Sequence, residues 1–493
     1  MEASKFSNTS DFDVVIIGAG ISGINAGYKL QTELPNYTYT ILEARGAIGG
    51  TWDLFRYPGI RSDSDLHTFG FSWCAWKNSK AIAEGSLIQE YIQDAAEEYG
   101  IDKHIKFHHK VVAADWSTEC QDWSFAVDVK GETKQIRGRF VIFASGYYDY
   151  NEPLSAHIPG LENFKGTTVH PQFWPEDLDY AGKKVVIIGS GATAITLLPN
   201  MTDKAEKVTM LQRSPSYVVA RPSVDPSGQW LKKYLPQSWA SKLIRLKFLV
   251  LTIVIVNFCR AYPKVAIKSI KKRTEEMLPA SIAQDPNFKP SYNPWEQRLC
   301  LCPDGDFYAA LRGGKGDVVT DTIKTVTETG IVTDGGKVLD ADVIVTATGL
   351  KMQVAGGSRV SVDGAPISFS DKYMWKSTLV QDIPNAAVVI GYTNASWTPG
   401  AEATAVMICR IMKYMEKKKL GTVVPRVEDE SRVHATNLLN LKSTYIMAAK
   451  GTLPKAGDVA PWKPRDNYFS DLWSAKFGMF SGLAFEGSAK KKN

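Results

Sequence analysis

Residues 14–23 read VVIIGAGISG, and this short stretch predicts the fold. Four apolar residues of a strand lead into the turn Gly18-x-Gly20-x-x-Gly23, and the residues from Ser22 to Leu34 have a helical pattern. A second strand is predicted from Tyr39 to Glu43, and Glu43 stands 20 residues after Gly23. This order is typical of a dinucleotide-binding βαβ unit. In such a unit the glycines let a pyrophosphate approach the backbone closely, and the acid accepts a hydrogen bond from a ribose hydroxyl. We therefore predict a nucleotide site at Gly18, Gly20, Ser22, Gly23 and Glu43, with a purely structural turn as the alternative.

The same unit occurs a second time. Residues 184–188 read KVVII and precede another glycine turn, and the following strand, 208–212, ends before an arginine where the first unit has its acid. An arginine pairs bidentately with a 2′-phosphate, which a carboxylate would repel, so this site favours NADP over NAD. The predicted contacts are Gly189, Ser190, Gly191, Ala192, Thr193, Ala194, Arg213 and Ser214. The alternative is that Arg213 is only a solvated charge at the end of a strand.

The two sites have different residues at the position that binds the ribose, an acid in the first and an arginine in the second. They therefore predict two cofactors, FAD in the first site and NADPH in the second, with NADPH reducing FAD. Residues 49–58 contain no cysteine pair, which argues against a disulfide reductase and leaves O2 or an external electron acceptor. The six cysteines include no CxxC pair, so we interpret them as reduced thiols and predict no metal site.

The positive charge is confined to one segment. The chain has 493 residues and a net charge of +6, yet residues 226–274 hold 11 Lys or Arg and no acid, which argues against a general nucleic-acid surface. Leu231, Leu235, Trp239 and Leu243 recur every four residues, so this segment predicts basic amphipathic helices. Such helices lie on anionic membranes, or pack as a helical subdomain over the NADP domain with solvated cations.

No segment is predicted to cross a membrane. The longest apolar run, residues 248–259, would span about 18 Å as a helix, against roughly 30 Å of bilayer hydrocarbon. The polar residues before Val14 do not read as a secretory signal. We expect a cytoplasmic protein, with attachment to the membrane surface through residues 226–274 as an open alternative.

The predicted fold class is α/β, with two doubly wound Rossmann-like domains and the NADP domain inserted into the FAD domain. The expected boundaries are 1–165 for the first part of the FAD domain, 166–345 for the NADP domain with a basic helical insertion at 226–290, and 346–493 for the return segment and tail.

Three ordered motifs make the function more specific. Residues 164–175 read FKGTTVHPQFWP, which resembles the fingerprint of type I Baeyer–Villiger monooxygenases through Phe164, Gly166, His170 and Trp174. Residues 49–63 and the Ala-Thr-Gly element 347–349 resemble two further motifs of that family. The chain is most similar to its ethionamide-activating branch, from which residues 398–401 depart.

The resemblance implies a mechanism in which NADPH reduces FAD, O2 forms a C4a-peroxyflavin, and this attacks a ketone to give an ester or lactone. Arg298 resembles the family's catalytic arginine, a cation that keeps the peroxide anionic, and Asp63 the acid that orients it. His170 and Trp174 are interpreted as organisers of domain motion, or as packed linker residues. Further predicted cofactor contacts are Gly50, Thr51, Trp52, Arg61, Ser62, Asp63 and Val111.

The expected substrates are small lipophilic ketones, with sulfoxidation of thioethers and thioamides as a second activity. An N-oxidising flavin monooxygenase, which usually has Phe or Tyr in place of Trp174, and a non-catalytic NADP-sensing flavoprotein are the alternatives. For Arg298 and Asp63, a surface charge and a turn acid are the structural alternatives.

Overall fold

The computed structural model describes residues 10–439, 441 and 443–488. The predicted domains also include residues 1–9 and 489–493, which lie outside this described part, as does most of the segment before Val14. The described chain alternates strands and helices around two main sheets, the first mixed and the second parallel.

The strands range from two residues to the 12 residues of β6. They are β1 (Phe12–Ile17), β2 (Tyr39–Leu42), β3 (Ile105–Lys106), β4 (Lys110–Ser117), β5 (Asp122–Val129), β6 (Glu132–Phe143), β7 (Thr167–Val169), β8 (Lys184–Ile188), β9 (Lys207–Gln212), β10 (Val218–Arg221), β11 (Cys300–Pro303), β12 (Gly316–Thr320), β13 (Ile323–Thr327), β14 (Gly330–Thr333), β15 (Val338–Asp340), β16 (Val343–Thr346), β17 (Arg359–Val362), β18 (Ala365–Pro366), β19 (Met374–Trp375), β20 (Leu379–Val380), β21 (Ala386–Val388), β22 (Leu420–Pro425), β23 (Ala435–Asn437), β24 (Lys455–Gly457) and β25 (Leu483–Gly487).

The helices range from single turns to 25 residues. They are α1 (Ile21–Glu33), α2 (Thr51–Leu54), α3 (Leu66–Phe69), α4 (Gly85–Glu98), α5 (Ala192–Met201), α6 (Pro226–Tyr234), α7 (Gln237–Ala261), α8 (Pro263–Met277), α9 (Gln284–Asn287), α10 (Asp306–Arg312), α11 (Trp397–Lys418), α12 (Thr444–Ala448) and α13 (Tyr468–Phe477).

The first sheet contains the opening glycine motif. Its strand order is β18-β17-β4-β5-β6-β1-β2-β3, with β21 joined to β6. Strand β1 is parallel to both β2 and β6, and its last four residues are buried. A strand covered on both faces requires the continuous apolar run that the sequence shows at 14–17. Strands β4 to β6 form an antiparallel meander on one side of β1.

The second sheet belongs to a domain inserted into the first. Its order is β12-β9-β8-β16-β7, all parallel, and it opens with β7 and closes with β16. The chain then returns to the first sheet through β17 and β21. The predicted α/β fold with two Rossmann-like domains, one inserted, and a helical subdomain is confirmed.

The basic helical segment, residues 226–290, folds into α6, α7, α8 and α9. The alternative expectation placed it over the NADP domain, and two of its helices, α8 and α9, contact that domain at β10 and β12. Helix α7 packs instead on α3 of the first domain, where the Arg245 guanidinium donates to the carbonyls of His67, Thr68 and Gly70. Arg245 also pairs with Glu402, so this cation is not solvated. A buried arginine that satisfies helix-end carbonyls fixes α7 to the first domain.

Candidate active site

A cavity of about 460 Å³ opens where the two domains meet. Ile17, Leu42 and Ala144 place it at the carboxyl ends of β1, β2 and β6, which is where open α/β sheets bind ligands. It brings together most residues predicted for the first cofactor and for catalysis: Gly18, Gly20, Ser22, Glu43, Gly50, Thr51, Trp52, Arg61, Ser62, Asp63, Val111 and Arg298.

The glycine turn has the shape that a dinucleotide needs. Gly18 has a φ of 103°, and a Cβ there would lie 2.9 Å from the Ala144 carbonyl oxygen. A Cβ on Gly23, which does not line the cavity, would lie 1.9 Å from the Gly18 oxygen, so only glycine lets α1 pack this close to β1. Gly20 begins α1 without a side-chain cap, which leaves the backbone N–H groups at the helix start available to a pyrophosphate. The turn therefore fits FAD.

Glu43 is buried beside this turn. One carboxylate oxygen accepts from the Ala19 N–H at 2.7 Å and the other from the Arg45 N–H at 2.8 Å. Burial raises the pKa of the carboxyl, against these two hydrogen bonds. Each oxygen keeps a second lone pair, so the group can still accept from a ribose hydroxyl at the cavity wall.

Arg298 and Asp63 face the same cavity although 235 positions separate them in sequence. Arg298 lies in the loop before β11, and the Asp63 carboxylate raises the pKa of its guanidinium above the usual range. In the described chain no hydrogen bond or ion pair within 4 Å joins the two, so their interaction acts across a gap. The site thus holds a permanently charged cation next to a carboxylate.

The other predicted contacts in residues 50–62 connect parts of the cavity wall. The Thr51 and Tyr150 hydroxyls lie 3.1 Å apart, and burial raises the pKa of Tyr150 to about 12. The Arg61 guanidinium forms a two-point ion pair with Asp306 at the start of α10, so this predicted FAD contact also links the first domain to the second. The Ser62 hydroxyl donates to the Ser64 carbonyl.

The second glycine turn lies outside this cavity, between β8 and α5. Gly189 has a φ of 140°, and a Cβ there would lie 2.3 Å from the Ala347 oxygen, which is again a turn that only glycine fits. Gly191 begins α5 without a side-chain cap, and Thr193 hydrogen-bonds Tyr57 of the first domain. Ser190, Ala192 and Ala194 complete the turn.

The residues predicted to bind the 2′-phosphate are accessible to solvent. Arg213 and Ser214 are exposed directly after β9, and Arg213 forms no ion pair within 4 Å in the described residues. An exposed, unpaired guanidinium beside the glycine turn fits a bound 2′-phosphate.

The fingerprint residues surround the entry to the second sheet. Phe164 packs in the apolar cluster beneath that sheet, and a Cβ on Gly166 would lie 2.4 Å from the Asp342 oxygen. The His170 Nδ1 accepts from the Gln172 N–H at 3.2 Å, and burial lowers the pKa of His170. Trp174 is buried in the core of the second domain. None of these four residues lines the cavity in the described part of the chain.

Sequence reasoning missed an aromatic wall. Tyr147, Tyr148 and Trp397 line the cavity, and Tyr147 stacks on Trp397 with ring centroids 4.8 Å apart. The Trp397 indole N–H donates to the Ser22 hydroxyl at 2.8 Å, so Trp397 belongs to the site. The tyrosines follow β6 directly, and their place at the carboxyl end of a central strand was the available signal.

The cysteines do not contribute to the cavity. All six are free, and burial raises the pKa of both Cys300 and Cys302 to about 12, which keeps them protonated. The described residues contain no group of three or more His, Cys, Asp or Glu that could hold a metal ion.

Comparisons with known proteins agree with this geometry. The profile of the family described as Flavin-binding monooxygenase-like matches residues 76–233, and that of an NAD(P)-binding Rossmann-like domain matches 16–82. The chain is 46% identical over 465 residues to the FAD-containing monooxygenase EthA of Mycolicibacterium smegmatis, covering 94% of each protein.

Two solved structures share the fold at low identity. A steroid monooxygenase bound to NADP superposes with a TM-score of 0.76 at 19% identity, covering 96% of this chain and 99% of that one. A cyclohexanone monooxygenase with bound epsilon-caprolactone superposes with a TM-score of 0.72 at 22% identity, covering 96% and 99%.

Proposed function

The chain belongs to the FAD-containing monooxygenases, and from that premise we propose that it is an NADPH-dependent Baeyer–Villiger monooxygenase. It inserts one oxygen atom of O2 next to a ketone carbonyl and releases an ester or a lactone. The observation that carries the proposal is the placement of Arg298, paired electrostatically with Asp63, in the cavity that contains the first glycine turn.

The chain's own residues hold the two cofactors at separate turns. Glu43 and the α1 backbone bind FAD, while the turn 189–194 and Arg213 bind NADPH through its pyrophosphate and 2′-phosphate. FAD, once reduced by NADPH, supplies the activation of O2. The ion pair of Arg61 with Asp306 and the hydrogen bond of Tyr57 with Thr193 hold the two turns in one assembly.

Arg298 stabilises the negative charge that develops on oxygen during its transfer. The guanidinium stays charged because the Asp63 carboxylate raises its pKa, and the cavity shields the interaction from water. Asp63 acts as a positioning residue, since its charge holds the cation toward the cavity. A lysine could lose its proton in such a site, whereas arginine does not.

The cavity wall favours lipophilic substrates. Trp52, Phe69, Tyr147 and Trp397 supply large apolar surfaces, beside polar lining residues such as His109, Lys110 and Gln353. Small ketones fit this description, as cyclohexanone does in the monooxygenase that shares the fold. Thioethers have the same apolar character, so sulfoxidation is the expected second activity.

The N-oxidising alternative is disfavoured by two residues. Trp174 stands where that group usually has Phe or Tyr, and a charged Arg298 in the cavity would repel a protonated amine. Product identity separates the two reactions directly.

The test is product analysis under ¹⁸O2 with NADPH and a panel of small ketones, thioethers and tertiary amines. We expect lactones and sulfoxides that carry one labelled atom. N-oxides as the main product would overturn the proposal, and NADPH binding with neither NADPH consumption nor product would indicate the non-catalytic alternative.

Replacing Arg298 by alanine tests the observation on which the proposal rests, the placement of this arginine in the cavity. FAD content should stay unchanged while lactone formation falls about 10²–10³-fold, the usual cost of one preorganised electrostatic contact. The matched control is Arg432→Ala, which removes an arginine whose side chain is 84% exposed and pairs with Asp429 away from the cavity. A folded, FAD-loaded Arg298→Ala variant with normal lactone yield would contradict the mechanism.

A further inference from the structure

Helix α7 carries an exposed apolar face along most of its length. We define the apolar stripe as Trp239, Leu243, Leu246, Val250, Val254 and Phe258, all exposed, with Trp239 at 65%. Their spacings of three or four residues place them on one side of the helix, and the stripe extends over about 28 Å. The opposite side, including Ile244, Leu249 and Cys259, is buried. Single exposed apolar residues are common on proteins, but a continuous row of this length marks a contact surface.

Unpaired cations accompany the stripe. Of the 11 Lys and Arg between residues 226 and 274, six form no ion pair within 4 Å in the part of the chain that the structure describes. Lys232 donates to the Lys77 and Asn78 carbonyls, and the other five are Lys233, Lys242, Lys264, Lys268 and Arg273. The Lys242 ammonium lies 6.0 Å from the Trp239 ring, and Lys233 lies 5.3 Å from the Tyr234 ring. Cations beside exposed aromatic rings are the arrangement found where a helix meets lipid headgroups.

A second exposed apolar face begins beside α7. On α13, Phe469, Trp473 and Phe477 recur every four residues and are 41%, 67% and 64% exposed. The two helices meet where Arg260 of α7 pairs with Asp466, just before α13. The α13 residues thus form a second exposed apolar row next to α7.

From these observations we propose that the apolar stripe of α7, together with the unpaired cations of α6, α7 and α8, docks this protein on the surface of an anionic lipid bilayer. The stripe enters the boundary between headgroups and acyl chains, and Lys233, Lys242, Lys264 and Lys268 contact lipid phosphates. The described helices include none that could cross a membrane, so docking is peripheral.

Charge decides between lipid and the other occupants. A second copy meeting the same face would bring two acid-free basic segments together, which costs electrostatic energy. A nucleic acid would pair with the cations but leave the apolar stripe without a partner. An anionic bilayer satisfies both features.

The test is co-sedimentation of the FAD-loaded enzyme with vesicles of phosphatidylcholine alone or with about one third phosphatidylglycerol, at low and high salt. We expect binding to the anionic vesicles that weakens with salt, because each cation near such a surface strengthens binding about fivefold. Failure of the wild-type protein to bind anionic vesicles at low salt would overturn the proposal.

Variants locate the surface. Combined Leu243→Ser, Val250→Ser and Val254→Ser should weaken vesicle binding at least about tenfold, since three exposed apolar side chains leave the lipid. Val338→Ser is the matched control, because this valine is 64% exposed on β15 of the second domain. Combined Lys242→Gln, Lys264→Gln and Lys268→Gln should reduce the salt dependence.

Two controls keep the result decisive. Thermal melting and FAD content of each variant must match the wild type, which is expected because the replaced side chains are exposed. Unchanged vesicle binding in the stripe variant would refute the assignment to α7. A dimer in light scattering that the stripe variant converts to a monomer would show that a second copy covers the face, which also refutes it.

Discussion

Replacing Glu43 by alanine tests the FAD site most directly. The carboxylate accepts from the Ala19 and Arg45 N–H groups and retains lone pairs toward the cavity. A hydrogen bond between a ribose hydroxyl and a charged acceptor contributes about 1.5–3 kcal/mol, so its loss raises the Kd for FAD roughly 10- to 150-fold. The alanine also leaves two backbone donors without an acceptor, which loosens the turn and adds to the loss.

Glutamine separates these two effects. Glu43→Gln removes the charge but keeps one acceptor oxygen, which can satisfy only one of the two backbone N–H groups. We therefore expect FAD affinity to fall in the order wild type, glutamine, alanine. The assay is titration of apoprotein with FAD, followed by flavin fluorescence and by the flavin-to-protein absorbance ratio after gel filtration.

Asp122→Asn is the matched control. Asp122 is a buried carboxylate of the same sheet that pairs with Arg137 and lies away from the cavity. Its loss lowers stability without touching the nucleotide site. The reasoning is wrong if the alanine variant of Glu43 binds FAD within about threefold of wild type, or if Asp122→Asn weakens FAD binding equally.

Three further outcomes are expected. Arg213→Ala should raise the KM for NADPH far more than that for NADH, since only NADPH carries the 2′-phosphate; equal changes would exclude Arg213 as its reader. Arg245→Met should destabilise the enzyme by about 3–5 kcal/mol in denaturant unfolding, because a buried ion pair and three carbonyl contacts are lost, whereas exposed Lys264→Met should cost under about 0.5 kcal/mol. Burial, followed by the charge of Lys232, lowers the pKa of His67 to about 4, so its stabilisation is complete above pH 6.5 and declines by about 3 kcal/mol as pH falls toward 4. His67→Gln should flatten this part of the stability profile, and an unchanged slope would assign the pH dependence to other groups.

The sequence was most informative where the chemistry is local. A glycine turn between a strand and a helix needs its neighbours only, and the positions that a Cβ would obstruct, Gly18, Gly23 and Gly189, are readable from spacing. The parallel pairing of β1 with β2 and of β8 with β9 follows from these units, because a βαβ crossover has one hand and buried strands have continuous apolar runs.

Contacts between distant segments could not be read in this way. That α7 docks on the first domain depends on Arg245 reaching carbonyls at residues 67–70, some 175 positions earlier. Nothing in the hydrophobic periodicity of the α7 sequence distinguishes this arginine from the exposed lysines around it. The ion pair of Arg61 with Asp306 could not be predicted for the same reason, because the local sequence around Asp306 in α10 does not indicate which residue it pairs with.

The aromatic wall shows how the two kinds of information combine. Trp397 starts α11 and hydrogen-bonds Ser22, a residue of the first glycine turn, while Tyr147 follows β6 and stacks on the same indole. Each residue stands at a sequence position that local reasoning locates, the end of a strand or the start of a helix, but their meeting requires the order of the strands. Strand β6 lies between β1 and β21, so the loops after these three strands converge on one edge of the sheet. The aromatic wall of the cavity is therefore a consequence of sheet topology, and its residues are found by following the carboxyl ends of adjacent strands rather than by motif.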